Sequence, residues 1–217
     1  MILRPAYAPR MAAAFLLAGL LLGAPAAFAQ DKPDALELYR ANRYEEAIKV
    51  CQQELAESPK SIDSHVVMGW SYLRLRRYQD ALDIGQKAVQ INPNDPRVIE
   101  ILGEADVFLG KTDDALKNLE EYVALRPDGD RISRVYWLMG EVYISLKEYQ
   151  NADISISTAL YYEQNNSQWW SRLGWARELA TDWKWASDAY AHALKLDPSL
   201  ADAQRGKDRV DAKLKGG

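Results

Sequence analysis

The chain has 217 residues, with 27 lysines and arginines against 31 aspartates and glutamates, and a formal net charge of −4. That acidic balance argues against nucleic acid as a partner, because affinity for phosphates rests on a basic surface. The single cysteine, Cys51, excludes an internal disulfide, and with only two histidines, His65 and His192, far apart in the chain, a metal site is not expected.

The first 30 residues differ from everything after them. "MILRPAYAPR" carries Arg4 and Arg10 and no acid, residues 11–23 are uninterruptedly apolar, and Ala27 and Ala29 supply small residues just before Gln30. A basic head, an apolar run shorter than the roughly 20 residues of a spanning helix, and small residues at its end are the layout of a secretory signal peptide. We therefore expect residues 1–29 to be removed after Ala29, leaving a periplasmic or secreted chain with no stable membrane insertion. The alternative is a segment retained as an anchor. A lipoprotein would need cysteine where Gln30 stands. Without Arg4 and Arg10 the 27 basic residues fall to 25 against 31 acidic ones, a net charge of −6.

From there a pattern repeats to residue 200. Ala47, Ala81, Ala115, Ala152 and Ala186 are spaced by 34, 34, 37 and 34 residues, and Gly69, Gly103, Gly140 and Gly174 keep the same beat. So do Tyr44, Tyr78, Tyr149 and Trp183, and Pro59, Pro93, Pro127 and Pro198. Such a period signals stacked supersecondary units, each unable to bury its apolar face alone. The units run over about residues 30–61, 62–95, 96–129, 133–166 and 167–200.

The first unit opens with polar "QDKPD", so its first helix should start late, near Pro33; Cys51 falls on the inward face of its second helix as a small buried hydrophobe. In the second unit Val66, Met68, Gly69, Tyr72, Leu73 and Leu75 recur at helical steps, as do Tyr78, Ala81, Leu82, Ile84, Ala88, Val89 and Ile91. The "RLRRY" turn between the two helices leaves room only for an antiparallel hairpin. The third unit has Thr112 in place of the turn aromatic, and Asp106 where Tyr72 and Tyr143 stand in its neighbours. Three extra residues lie in "RPDGDRISR" before the fourth unit, which itself lacks a closing proline ("YYEQNNSQ"). After Pro198, residues 201–217 read as a polar terminal helix and tail, with Leu200, Ala203, Val210 and Leu214 turned toward the last unit.

The stretch "HVVMGWSYLRLRRYQDALDIGQKAVQINP" resembles the tetratricopeptide repeat in its small Gly69, aromatic Tyr72 and Tyr78, small Ala81 and Ala88, and closing Pro93. The resemblance implies an all-α solenoid: a right-handed superhelix of five helix-turn-helix repeats with a C-terminal capping helix. It further implies that the first helix of each repeat lines a concave groove. Projected onto this sequence, that groove holds Tyr39, Trp70, Leu73, Arg74, Glu100, Glu104, Phe108, Arg134, Trp137, Glu141, Ile144, Arg172 and Trp175. Aromatic anchors would then contact a peptide or protein partner, while Glu100, Glu104 and Glu141 would favour basic residues beside it; the alternative is that Trp70, Trp137 and Trp175 are ordinary packing between repeats. The carboxylate clamp that some relatives use for chaperone tails is not expected, since its places hold Val66, Trp70, Ile101, Arg134 and Leu138, of which only Arg134 fits.

No G-x-S-x-G, phosphate loop or metal-ligand cluster is present in the sequence, and pairs such as Asp113–Asp114 read as solvated helix faces. The resemblance then implies a non-catalytic protein-interaction adaptor or scaffold, here of the cell envelope, with no cofactor expected. A regulatory or accessory subunit of a secreted or periplasmic enzyme is the competing reading, and a self-associating structural protein is a third.

Overall fold

The first helices begin where a short polar side chain caps them. In the computed structural model, which describes residues 34–216, the Asp34 carboxylate accepts from the N–H groups of Leu36 and Glu37 at 2.7 and 3.0 Å to open α1 (Ala35–Arg40). Ser61 caps α3 (Ile62–Arg74), Asp95 caps α5 (Pro96–Phe108), and Asn166 caps α9 (Ser167–Leu179). Each satisfies an N–H that the first turn leaves unpaired. Of the five first helices only α7 (Ile132–Ser145), behind the insertion, starts without such a cap. The expected signal segment and its cleavage point before Gln30 lie outside the described residues.

The second helices are entered differently. α2 (Tyr44–Glu57), α4 (Tyr78–Ile91), α6 (Thr112–Leu125), α8 (Tyr149–Tyr162) and α10 (Trp183–Leu196) have no side-chain cap. Each follows a turn with one left-handed residue: Asn42, Arg76, Gly110, Lys147 and Thr181, with φ of 60°, 58°, 73°, 62° and 64°. Those positions share the beat of the alanines.

Each repeat closes on an extended residue. Ser58, Asn92, Arg126 and Asp197 have φ between −134° and −142° and precede Pro59, Pro93, Pro127 and Pro198. Proline excludes helix from the residue before it. In the fourth repeat Glu163 adopts φ −126° and ψ 70° ahead of Gln164, so the missing proline leaves the turn unchanged. The three-residue insertion is absorbed partly by the 126–131 connection and partly by α7, which has 14 residues where α3, α5 and α9 have 13.

Five antiparallel hairpins and α11 (Ala201–Gly216) thus stack in chain order as an all-α solenoid. The five marker alanines have no exposed surface, as expected where two helices cross closely. A Cβ on Gly69 would lie 2.9 Å from Ile101 Cδ1, and one on Gly174 would lie 2.7 Å from the Tyr190 ring. The core is a row of clusters bridged by partly buried Tyr136, Trp137, Trp170 and Trp175, as neighbour-only contact dictates. Cys51 is buried within it, and burial pushes its thiol up to about 12.

One expectation for the cap is corrected. Ala203 and Val210 are buried against the last repeat, joined by Gly206, which packs on Tyr190, but Leu214 is exposed because it lies beyond the end of that contact. Among the described residues no helix is long and apolar enough to cross a membrane.

Candidate partner-binding face

Residues three and four apart on a helix share a face, so the first helices present Glu100, Glu104 and Phe108 on α5, Arg134, Trp137, Glu141 and Ile144 on α7, and Arg172 and Trp175 on α9. Between these helices runs a ladder of ion pairs. Arg131 donates through Nε and Nη2 to Glu100 Oε1 at 3.0 and 2.8 Å, and Arg134 Nη2 donates to Glu104 Oε1 at 2.6 Å. Arg172 grips Glu141 through Nε and Nη2 at 2.6 and 2.7 Å. Arg209, on the cap, grips Glu178 in the same way at 2.7 and 2.8 Å. Each rung links one first helix to the connection or helix about one repeat later.

The rungs change the electrostatics of the face. Glu100 has no exposed surface; burial pushes its carboxyl up, against the pull of Arg131, and Trp70 Nε1 donates to it at 3.0 Å. Glu104 is likewise buried. Glu141 is paired at both oxygens. The three acids expected to attract basic residues are therefore neutralised by arginines, and Glu100 is out of reach of any ligand. Leu73 and Ile144 are also buried and belong to the core, not to a contact surface.

Seen from solvent, the arginines lie in front. Side-chain exposure is 31% for Arg134 against 9% for Glu104, 36% for Arg172 against 21% for Glu141, and 55% for Arg209 against 15% for Glu178. The Arg134 guanidinium carbon sits 4.6 Å from the Trp137 ring centre and that of Arg172 sits 4.1 Å from Trp175, cation–π stacks that hold both planes in place.

The N-terminal half offers less room. Trp70 is half-buried, with its ring centre 5.8 Å from that of Tyr39, and their cavity with Leu73, Arg74 and Arg131 holds 110 Å³, space for a few waters. Arg74 is exposed and makes no hydrogen bond or ion pair among the described residues. Phe108, also exposed, stacks on Tyr78 at 4.5 Å. In the C-terminal half, a 570 Å³ cavity lies between Arg134, Trp137, Arg172, Trp175, Arg205 and Arg209. A 470 Å³ cavity beside it, reaching Phe108, shares Trp137, Glu141, Arg172 and Trp175. Both volumes are those of ligand sites. Among the described residues no group of three or more histidines, cysteines or carboxylates is placed to hold a metal.

Sequence reasoning missed Arg131, Arg205 and Arg209, which come from the insertion and the cap. A signal was present: Glu100–Arg131, Glu141–Arg172 and Glu178–Arg209 are each 31 residues apart. Of the clamp positions, Val66, Ile101 and Leu138 are buried in the core.

Tetratricopeptide-repeat family models match residues 34–96 and 133–166. No curated protein sequence matches the chain. Among solved structures, MamA from Desulfovibrio magneticus RS-1 superimposes with a TM-score of 0.67 at 20% identity, over 76% of this chain and 92% of that one. YrrB, described as a TPR protein with an unusual peptide-binding site, gives 0.66 at 17% identity, over 80% and 88%. A thermophilic TPR protein from Thermus thermophilus gives 0.59 at 24% identity, over 81% and 94%. These likenesses establish the fold.

Proposed function

We propose that this tetratricopeptide-repeat solenoid is a non-catalytic adaptor of the cell envelope whose first-helix groove holds an acidic segment of a protein partner between repeats 4 and 5 and the cap. The observation that carries the reading is the layering of each rung, guanidinium outward and carboxylate behind. A guanidinium has five N–H donors; the grip on Glu141 uses the Nε and Nη2 edge of Arg172 and leaves Nη1 for a ligand carboxylate. Trp137 and Trp175 then take apolar side chains next to that carboxylate, as buried aromatic anchors do at protein interfaces. The peptide-binding site named for YrrB, a protein of the same fold, supports the general role.

Two labelled peptides that differ only in carrying glutamate or lysine between leucines test the sign. We expect the glutamate peptide to bind about tenfold tighter at low salt, with the difference shrinking near roughly 0.5 M as charges at a wet surface are screened. Equal affinity, or preference for lysine, read at the indole N–H resonances of the groove residues Trp137 and Trp175, would sink the proposal. Location in the envelope rests on the order of charge, apolar run and small residues before Gln30. In the native host the chain should have the mass of a product starting at Gln30; an intact Met1 chain in the membrane would count against export.

A further inference from the structure

The opposite side of the last two repeats carries a further cavity of 520 Å³ between α8 and α10, floored by α9. Tyr161, Trp170 and Trp185 form its walls, with Leu160 and Leu173 beneath. Tyr161 is 74% exposed and Trp185 61%, while Trp170 is held by a 4.5 Å stack on His192 and by donating Nε1 to the Gln164 carbonyl at 2.8 Å.

The fold does not demand this apolar box. One residue before each marker alanine the chain has Glu46, Asp80, Asp114 and Asn151, and then Trp185. At the place of Tyr161 the other repeats have Ala56, Gln90, Ala124 and Lys195. Two large aromatics therefore replace small or polar residues at solvent-facing positions in adjoining repeats, and they share one groove. Surface apolar clusters of this kind mark interaction sites.

The charge at the box is negative. Arg177 lies beneath Trp185, but its charge is met by Asp153, which accepts from Nε and Nη2 at 2.9 Å each. Asp188, in the groove lining, is exposed and makes no hydrogen bond or ion pair among the described residues. An unpaired carboxylate beside π-faces complements a cation on an apolar stem, for which indole faces supply attraction as well. We infer that this groove is a second docking site, for an arginine or lysine flanked by apolar residues on a partner polypeptide.

The site does not depend on the first-helix groove, and the test keeps the two apart. The probe is an acetylated, amidated peptide with one arginine between leucines, with its glutamate counterpart as control. We expect the arginine peptide to shift the indole N–H resonance of Trp185 and not those of Trp137 and Trp175. Its affinity should fall about five- to tenfold in Asp188→Asn and in Trp185→Ala, both exposed positions where folding is retained. Shifts confined to Trp137 and Trp175, an equal shift of the Trp185 resonance by the glutamate peptide, or unchanged affinity at Trp185 in Asp188→Asn would overturn the inference. So would tetramethylammonium binding as tightly as the peptide, which would make the ligand a small cation, or self-association lost in Trp185→Ala, which would make the occupant a second copy.

Discussion

Thr181 holds φ at 64°, a left-handed conformation that costs a non-glycine residue about 1–2 kcal/mol and is least natural for a β-branched one. The same turn is occupied without that cost by Gly110 in the third repeat. We expect Thr181→Gly to stabilise the chain by about 0.5–1 kcal/mol, the relief being partly offset by the larger entropy glycine loses on folding. Thermal unfolding reads the difference, and a lowered Tm would mean that the Thr181 side chain makes an interaction stronger than the strain. These positions were not legible in the sequence, because asparagine, arginine, glycine, lysine and threonine share no property beyond their place in the repeat. The marker alanines were legible because one physical demand, a close helix crossing, acts on all five and admits one residue type.

At the scale of elements, the insertion and the cap do related work. The lengthened connection supplies Arg131, which reaches the buried Glu100 and forms a second, longer pair with Glu104 at 3.5 Å. The cap supplies Arg209 to Glu178, whose other oxygen contact is the Tyr190 hydroxyl at 2.7 Å. Burial alone would raise the Glu178 carboxyl, but hydrogen bonds from Arg209 and Tyr190 hold it below its ordinary value. A carboxyl depressed in the folded state contributes stability that is full above its unfolded pKa, about 4.3, and is lost as pH falls through the folded value. Acid should therefore loosen α11 before the hairpins it covers. Amide exchange below about pH 4 should rise in α11 ahead of α9 and α10, and Arg209→Ala should already raise α11 exchange at neutral pH and flatten its response to acid. A uniform rise along the chain would show that Glu178 does not set the docking of the cap. The polar terminal helix could be read from composition and from Ala203 and Val210. Its arginine could not, since the partner of Arg209 is defined only once the helices are stacked.

Over the whole molecule, period and apolar spacing gave the hairpins and their order, and the tetratricopeptide resemblance pointed to the residues on the first-helix face. They did not give the sign of that face. A glutamate on a helical stripe looks like a solvated charge, and only packing reveals that Glu100 is enclosed and that Arg134 and Arg172 cover the other acids. Nor did they give the aromatic box, because Tyr161 and Trp185 occupy positions that the repeat pattern treats as surface. The two sides of repeats 4 and 5 thus differ, with arginines over tryptophan on one and an exposed aspartate beside tyrosine and tryptophan on the other.

On the proposed function, the outward guanidinium layer decides what the first-helix groove accepts. Exchanging the rung with Glu141→Arg and Arg172→Glu keeps an ion pair between α7 and α9 while turning a carboxylate toward the groove. Affinity for the glutamate and lysine peptides, read at Trp137 and Trp175 of this double variant together with its melting temperature, is the decisive measurement. The expected result is a Tm within a few degrees of the parent, a loss of about tenfold for the glutamate peptide and a gain for the lysine peptide. Undiminished binding of the glutamate peptide by the folded variant would contradict it.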